Sequence, residues 1–167
     1  NLTTEGYDIH WITDFPMFSY DEEEKRYKAE HHAFTMPDLD DLENCFPDDI
    51  DKIKSTSYDL VLNGFELASG SVRIHRRDIQ NKIFEIIGID NDEANEKFGY
   101  LLEAFKYGPP PHAGIAIGVD RLIAIFANAN SIRDVIAFPK VASGADLMTG
   151  VPNEPSDDQL NELGIKK

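Results

Sequence analysis

Ser57-Tyr58-Asp59-Leu60-Val61-Leu62-Asn63-Gly64-Phe65-Glu66-Leu67 is the stretch on which the fold turns. Asn-Gly between two apolar runs is a strong hairpin signal, because both residues of the tight turn must tolerate positive φ. A two-residue turn at Asn63-Gly64 pairs Leu62 with Phe65 and Val61 with Glu66. Asp59 is two residues from Val61, so the strand period puts Asp59 and Glu66 on one face. Working outward, Ser71-Val72-Arg73-Ile74-His75 alternates like a further strand. On the other side, Asp8-Ile9-His10-Trp11-Ile12-Thr13-Asp14-Phe15 has the β-branched and aromatic content of a strand, stopped by Pro16. Residues 20–27 are too acidic for a core and read as a surface connection. Residues 34–37 follow a His pair and end at Pro37, and a short helix is expected from Asp38, with Leu39 and Leu42 on one face.

Helical spacing dominates the next segment. Ile79, Ile83, Ile86 and Ile87 keep a helical period, and Gly88 supplies a stop. Phe98, Leu101, Leu102 and Phe105 fall at i, i+3, i+4 and i+7, with a second stop at Gly108. Pro109-Pro110-Pro111 forces an extended segment, Ile115-Ala116-Ile117 reads as a small buried strand, and residues 119–127 read as a helix. Trp11, Phe84, Phe98 and Phe105 are expected in the core. Strands lead and helices sit between them, which is an α+β plan with helices on a mainly antiparallel sheet. Neither a repeat nor a low-complexity linker divides the chain, so one compact unit is expected.

The chain has 167 residues, 41% of them hydrophobic and 28% charged, ordinary values for a globular domain. Net charge is −15, from 31 acidic against 16 basic residues. A duplex binder needs Lys and Arg to displace counterions from phosphates, so little nucleic-acid affinity is expected from this chain alone. The acidic clusters at 21–24, 38–51 and 90–96 read as solvated loops and helix starts. No apolar run approaches the ~20 residues that cross a bilayer. Asn1-Leu2-Thr3-Thr4-Glu5 lacks the basic-then-apolar pattern of a secretory leader. A single cysteine, Cys45, excludes an internal disulfide and a Cys-based metal cage. The cytosol is the expected location.

Three sets of residues carry possible chemistry. In Gly114-Ile115-Ala116-Ile117-Gly118-Val119-Asp120-Arg121, a strand meets a glycine and a helix opens with Asp-Arg. Gly118 allows close approach of a flat ligand, and Arg121 adds a planar cation beside free backbone N–H groups, a setting suited to nucleotide phosphate. The plainer reading is a helix start in which Asp120 caps and Arg121 makes a surface pair. Asp59 and Glu66 are paired carboxylates that repel unless a cation or shared proton relieves them, or they are simply a solvated hairpin face. Arg73 stands between Val72 and Ile74, where an arginine is ordinarily just outward-facing. His31 and His32 are adjacent, point oppositely in an extended segment, and have no nearby Cys or His to complete a zinc set.

The pattern Gly-hydrophobic-Gly-hydrophobic-acid-Arg at 114–121 resembles the third signature motif of class II aminoacyl-tRNA synthetases. With Tyr107-Gly108-Pro109-Pro110-Pro111-His112-Ala113 before it and Ser131-Ile132-Arg133-Asp134-Val135-Ile136-Ala137-Phe138-Pro139-Lys140 after it, the chain resembles the bacterial aspartyl-tRNA synthetases. Trp11-Ile12-Thr13-Asp14-Phe15-Pro16-Met17-Phe18, His31-His32-Ala33-Phe34-Thr35 and residues 58–75 match too, so the likeness runs in order from about residue 9 to residue 150. It implies an ATP-dependent ligase that joins L-aspartate to ATP, releases pyrophosphate and passes the aspartyl group to tRNA. It implies ATP binding by Glu66, Gly118, Val119, Asp120 and Arg121, and ATP-bound Mg²⁺ on Asp59 and Glu66. It further implies aspartate binding by His31, His32 and Arg73, with Arg121, Glu66 and Arg73 central to catalysis. A planar guanidinium grips a carboxylate through two parallel hydrogen bonds, which selects aspartate over asparagine.

Departures are visible as well. Many bacterial members have Gly-Gly-Gly after the glutamate, whereas this chain has Leu67-Ala68-Ser69-Gly70, and Ala33 follows His32 where proline is expected. Nothing here matches the first or second class II motif, the anticodon-binding barrel or the inserted domain. The expectation is therefore that residues 1–167 are the C-terminal portion of the catalytic domain, from a cytoplasmic homodimer, and are inactive alone. A relative using asparagine and a non-enzymatic paralogue are the competing readings. Arg73 speaks against the first, and the joint presence of Asp59, Glu66, Arg73 and Arg121 speaks against the second.

Overall fold

The computed structural model describes residues 6–166; residues 1–5, expected to carry no leader pattern, and residue 167 lie outside the described residues. The chain divides into two compact units, Asn1–Gly118 and Val119–Lys167, rather than the single unit expected.

The first unit is built on the hairpin. β4 (Ser57–Leu62) and β5 (Phe65–Arg73) pair antiparallel, with Val61 opposite Glu66 and Leu62 opposite Phe65 as expected. Asn63 and Gly64 take φ of 51° and 81°, the positive-φ pair that a right-twisted two-residue turn requires. β1 (Ile9–Ile12) pairs with β4, and β6 (His112–Ile117) with β5, giving an all-antiparallel sheet of order β1-β4-β5-β6. The expected separate strand at 71–75 is instead the continuation of β5, which runs through Ala68-Ser69-Gly70 without a break. Between Leu60 and Val61 the register slips: Leu60 faces Ala68 while Val61 faces Glu66, so Leu67 is an extra residue bulged out of β5.

The acidic stretch at 20–27 is no mere connection. β2 (Phe18–Asp21) and β3 (Arg26–Ala29) form a second hairpin, with Tyr20 and Tyr27 opposite each other and edge-on at 5.3 Å. Phe18 is 2% exposed, and the Asp21 carboxylate accepts from the Glu23 and Glu24 backbone N–H groups, closing the turn. The acidic side chains mark the turn of an amphipathic hairpin whose other side is core.

α1 (Leu39–Cys45) starts where Asp38 accepts from the Asp41 N–H; of the two leucines on its apolar side, Leu42 is buried and Leu39 is exposed. α2 (Arg77–Ile86) buries Ile79, Ile83, Phe84 and Ile86 and is stopped at Gly88, whose φ is 75°. α3 (Asn91–Ala104) is capped by Asp90 and continues into a 3₁₀ turn ending at Gly108. The core lies where these helices meet the β2–β3 hairpin and the segment after it: Met17, Phe18, Met36, Ile53, Ile74, Ile83, Phe84 and Leu102 pack together. Phe34 sits edge-on to Phe98 at 5.0 Å and to Phe84 at 6.2 Å. Phe84 is thus core as expected, with Phe98 packed against it.

Two expectations of burial fail. Trp11 is 57% exposed, and all six residues of β6 are exposed. By register, Trp11, Tyr58, Phe65, Ile115 and Ile117 share a side of the sheet with the buried Leu62 and Ala68 and the core-packed Val72, so they form the exposed part of that face rather than part of the core. In the second unit, α4 (Val119–Phe126) buries Ala124, and Asp146 closes a turn by accepting from Met148 N–H, Thr149 N–H and the Thr149 hydroxyl. α5 (Asp157–Glu162) begins with a reciprocal cap between Ser156 and Gln159. Among the described residues no helix is long and apolar enough to cross a membrane.

Candidate functional site

The bulge at Leu67 decides the chemistry of the sheet. Glu66 and Arg73 are an odd number of residues apart, so in a regular strand they would point to opposite faces. One extra residue reverses the alternation. Glu66 then shares a face with Val61 and Asp59 across the turn, and Ser69, Ser71 and Arg73 share that same face through Asp59↔Ser69 and Ser57↔Ser71. Ala116 and His112 join it from β6, opposite Ser69 and Arg73. One side of the sheet is therefore apolar and aromatic, and the other is lined by hydroxyls, two carboxylates and a guanidinium.

On the polar side, His31, His32, Ser57, Ser69, Ser71, Arg73 and Ala116 line a cleft of about 260 Å³. That lies just under the ~300–1,000 Å³ of sites for drug-sized ligands and suits a small polar molecule. The cleft is walled by the turn after β3. Thr35 N–H donates to His32 O at 3.2 Å, Phe34 N–H donates to His32 Nδ1 at 3.1 Å, and Ile74 N–H donates to Phe34 O at 3.0 Å. Thr35 also forms a bridge with Arg73. These bonds fold 32–35 tightly against the end of β5 and bring the His32 ring onto the Arg73 guanidinium, which lies 3.2 Å from His32 Nδ1 and closer still to Nε2. Burial first, then the Arg73 and His31 charges, push the His32 pKa below its usual 6.5. A neutral imidazole is the form that accepts from a guanidinium N–H. Arg73 is then the permanent charge among the residues lining the cleft, so the cleft favours an anion. His31 is exposed at the rim, its ring edge-on to Phe15 at 5.3 Å.

Asp59 sits half-buried further along the same face, with one carboxylate oxygen buried and without a hydrogen-bond partner among the described residues. An orphaned carboxylate oxygen in a folded protein calls for a cation or an ordered donor. Glu66 lies on that face on the far side of the bulge, exposed. The donor set of two carboxylates suits Mg²⁺, which takes one or two protein carboxylates and completes its shell from water and phosphate.

Gly118 extends the sheet edge, its N–H donating to Leu67 O at 2.8 Å. Val119, Asp120 and Arg121 belong to the second unit and form the first turn of α4, where Asp120 complements the helix N-terminus. The structure thus gathers Asp59, Glu66, Arg73 and His32 on one face of the first unit, with His31 at its rim. The sequence pattern does not mark the serines at 57, 69 and 71 as cleft residues, although each keeps the alternation of Asp59 or Arg73.

Comparison with known proteins gives the family. The family described as tRNA synthetases class II (D, K and N) matches residues 1–142. The chain is 55% identical over 161 residues to the aspartate–tRNA(Asp/Asn) ligase of Thermotoga maritima, covering 96% of this chain and 27% of that protein. It is 57% identical over 162 residues to the aspartate–tRNA(Asp/Asn) ligase of Dictyoglomus turgidum, covering 97% and 27%. The chain therefore spans about a quarter of the length of the curated relatives it matches. Among solved structures, the aspartyl-tRNA synthetase of Entamoeba histolytica superposes with a TM-score of 0.61 at 28% identity, over 83% of this chain and 24% of that one. The asparaginyl-tRNA synthetase of Pyrococcus horikoshii complexed with asparaginyl-adenylate shares the fold, with a TM-score of 0.56 at 20% identity over 81% of this chain and 26% of that one. An α+β unit with a mainly antiparallel sheet, a polar face carrying Asp59, Glu66 and Arg73, and a family match over most of its length lead to one conclusion: this chain belongs to the class II tRNA synthetases of the D, K and N group.

Proposed function

We propose that the protein containing this chain is an aspartate–tRNA ligase, which activates L-aspartate with ATP to aspartyl-adenylate and pyrophosphate and then transfers the aspartyl group to tRNA. The observation that carries the reading is the sharing of one sheet face by an anion-binding cleft, built on Arg73, and a carboxylate pair, Asp59 and Glu66. The first step is in-line attack of the amino-acid carboxylate on the α-phosphate of ATP, so positioning and charge neutralisation dominate it.

Each residue has a role in this reading. Arg73 grips the side-chain carboxylate of aspartate, and a neutral His32 steadies the guanidinium from behind. His31, at the rim, meets the same substrate. Asp59 and Glu66 would hold Mg²⁺, which supplies charge neutralisation to the ATP phosphates when bound. Gly118, Val119 and Asp120 form the wall beside the nucleotide, and Arg121 contacts its phosphate end. The chain is the C-terminal portion of a catalytic domain, and the whole protein is a cytoplasmic homodimer whose tRNA-binding surfaces lie outside these residues, in keeping with a net charge of −15.

Aspartate-dependent exchange of pyrophosphate into ATP tests the reading. A protein of the relatives' length containing this chain should exchange with aspartate and far less with asparagine, and the 167 residues alone should not exchange appreciably. Exchange driven equally by asparagine, or no exchange with either amino acid, would overturn it.

A further inference from the structure

Gln80 is the one polar residue on the buried face of α2, between Ile79 and Ile83, and is 0% exposed. A leucine or methionine there would fill the same space at less cost, because a buried amide must lose its water. The amide is only half repaid. Gln80 Nε2 donates to the Ala33 carbonyl at 2.8 Å, while Gln80 Oε1 is buried with no hydrogen-bond partner among the described residues. A buried polar group that is poorly explained by stability invites another explanation.

The acceptor supplies it. Ala33 lies between His32, whose ring meets the Arg73 guanidinium, and Phe34, whose N–H donates to that ring. The turn is held on the sheet side by Arg73 and on the core side by Gln80, and α2 begins only four residues after Arg73. We propose that Gln80 is a positioning residue for the amino-acid cleft: its amide pins the His32–Thr35 turn so that His32 presents the Arg73 guanidinium to the substrate carboxylate in one fixed orientation. The role rests on the aspartate-activating reading above. Gln80 touches no substrate and acts through Ala33 and His32. The pinning reduces the motion that would otherwise be lost on binding, so its contribution appears in affinity for the amino acid rather than for the nucleotide.

The test uses the protein of full length carrying Gln80→Met, which keeps length and apolar packing and removes the donor, alongside Gln80→Glu, which keeps the shape and faces the Ala33 carbonyl with an oxygen. Loss of one hydrogen bond of ordinary strength predicts a rise in the KM for aspartate of about fivefold in pyrophosphate exchange for Gln80→Met, and more for Gln80→Glu, with the KM for ATP changed by less than about twofold. Amide exchange of residues 31–36, measured without substrate, should quicken by a similar factor while α3 keeps its protection. A merely structural Gln80 predicts instead that both KM values rise together, or that protection falls throughout the unit; either result overturns the proposal, as does an unchanged KM for aspartate. Absence of aspartate-dependent exchange in the unsubstituted protein overturns the aspartate reading itself, a failure recognisable before any substitution is made.

Discussion

Replacing Gly70 with alanine should destabilise the sheet even though nothing in the backbone forbids it. Gly70 does not take a positive φ, so the substitution alone would stabilise by about 0.4–1 kcal/mol through the unfolded chain. Space decides otherwise. A Cβ built on Gly70 falls 2.6 Å from Tyr58 Cε2 and well inside van der Waals distance of the Gly114 carbonyl oxygen. The Tyr58 ring lies across the glycine, and its hydroxyl donates to Gly114 O at 3.0 Å. The added methyl breaks that bond, about 1 kcal/mol, and presses on β6 backbone, where overpacking costs about 1–3 kcal/mol. The net is a loss of roughly 1–3.5 kcal/mol. Urea unfolding of this chain reads it through Trp11, its only tryptophan, which sits edge-on to Tyr58 at 5.9 Å. Tyr58→Phe, which removes only the hydroxyl, should cost about 1 kcal/mol and serves as the control. Because Ser69 and Ser71 flank Gly70 in the cleft wall, the alanine variant should also weaken aspartate binding. A Gly70→Ala chain as stable as its parent, or more stable, would refute the close-approach argument.

Other perturbations read other parts of the site. Asp59→Asn and Glu66→Gln should each raise the Mg²⁺ concentration needed for half-maximal exchange by about tenfold while leaving the KM for aspartate nearly unchanged, since each removes one carboxylate from the cation and none from the cleft; a change confined to aspartate would contradict the assignment. His32 titrates below its usual 6.5 in the folded state, so as pH falls from about 6.5 toward the folded value the unfolded chain takes up a proton that the folded chain resists, and stability drops over that window. Urea midpoints from about pH 7 to about pH 5 should therefore fall less steeply in His32→Gln than in the parent, and equal slopes would count against a neutral His32 beside Arg73.

Much of this was written in local pattern, and what was missed was written in pairs of strands. The Asn63-Gly64 turn fixes φ and register together, so the opposition of Val61 and Glu66 was readable at once. α2 and α3 declare themselves through apolar residues at helical spacing and glycine stops. The Leu67 bulge has no local signal, but it has a parity signal: two residues an odd number apart on one strand that must serve one site require an extra residue between them. The β2–β3 hairpin was hidden because its turn is acidic, while the residue that anchors it, Phe18, lies outside the acidic run. Composition alone puts Trp11 and β6 in the core, yet an apolar strand shows only that it has an apolar face, and here Trp11 and β6 lie on the exposed part of that face. Gln80 has no periodic signal, since it reads as a polar interruption of the apolar face, and its partner lies 47 residues away.

Arg73 offers the most direct test of the central claim, that this sheet face selects an amino acid by its side-chain carboxylate. The measurement is kcat/KM for aspartate and for asparagine in pyrophosphate exchange by the full-length protein, with and without Arg73→Leu. Loss of a charge-assisted, two-pronged contact should lower kcat/KM for aspartate by about 10²-fold or more and abolish the preference over asparagine, with the KM for ATP nearly unchanged. An Arg73→Leu protein that still prefers aspartate by the parental ratio would contradict the account.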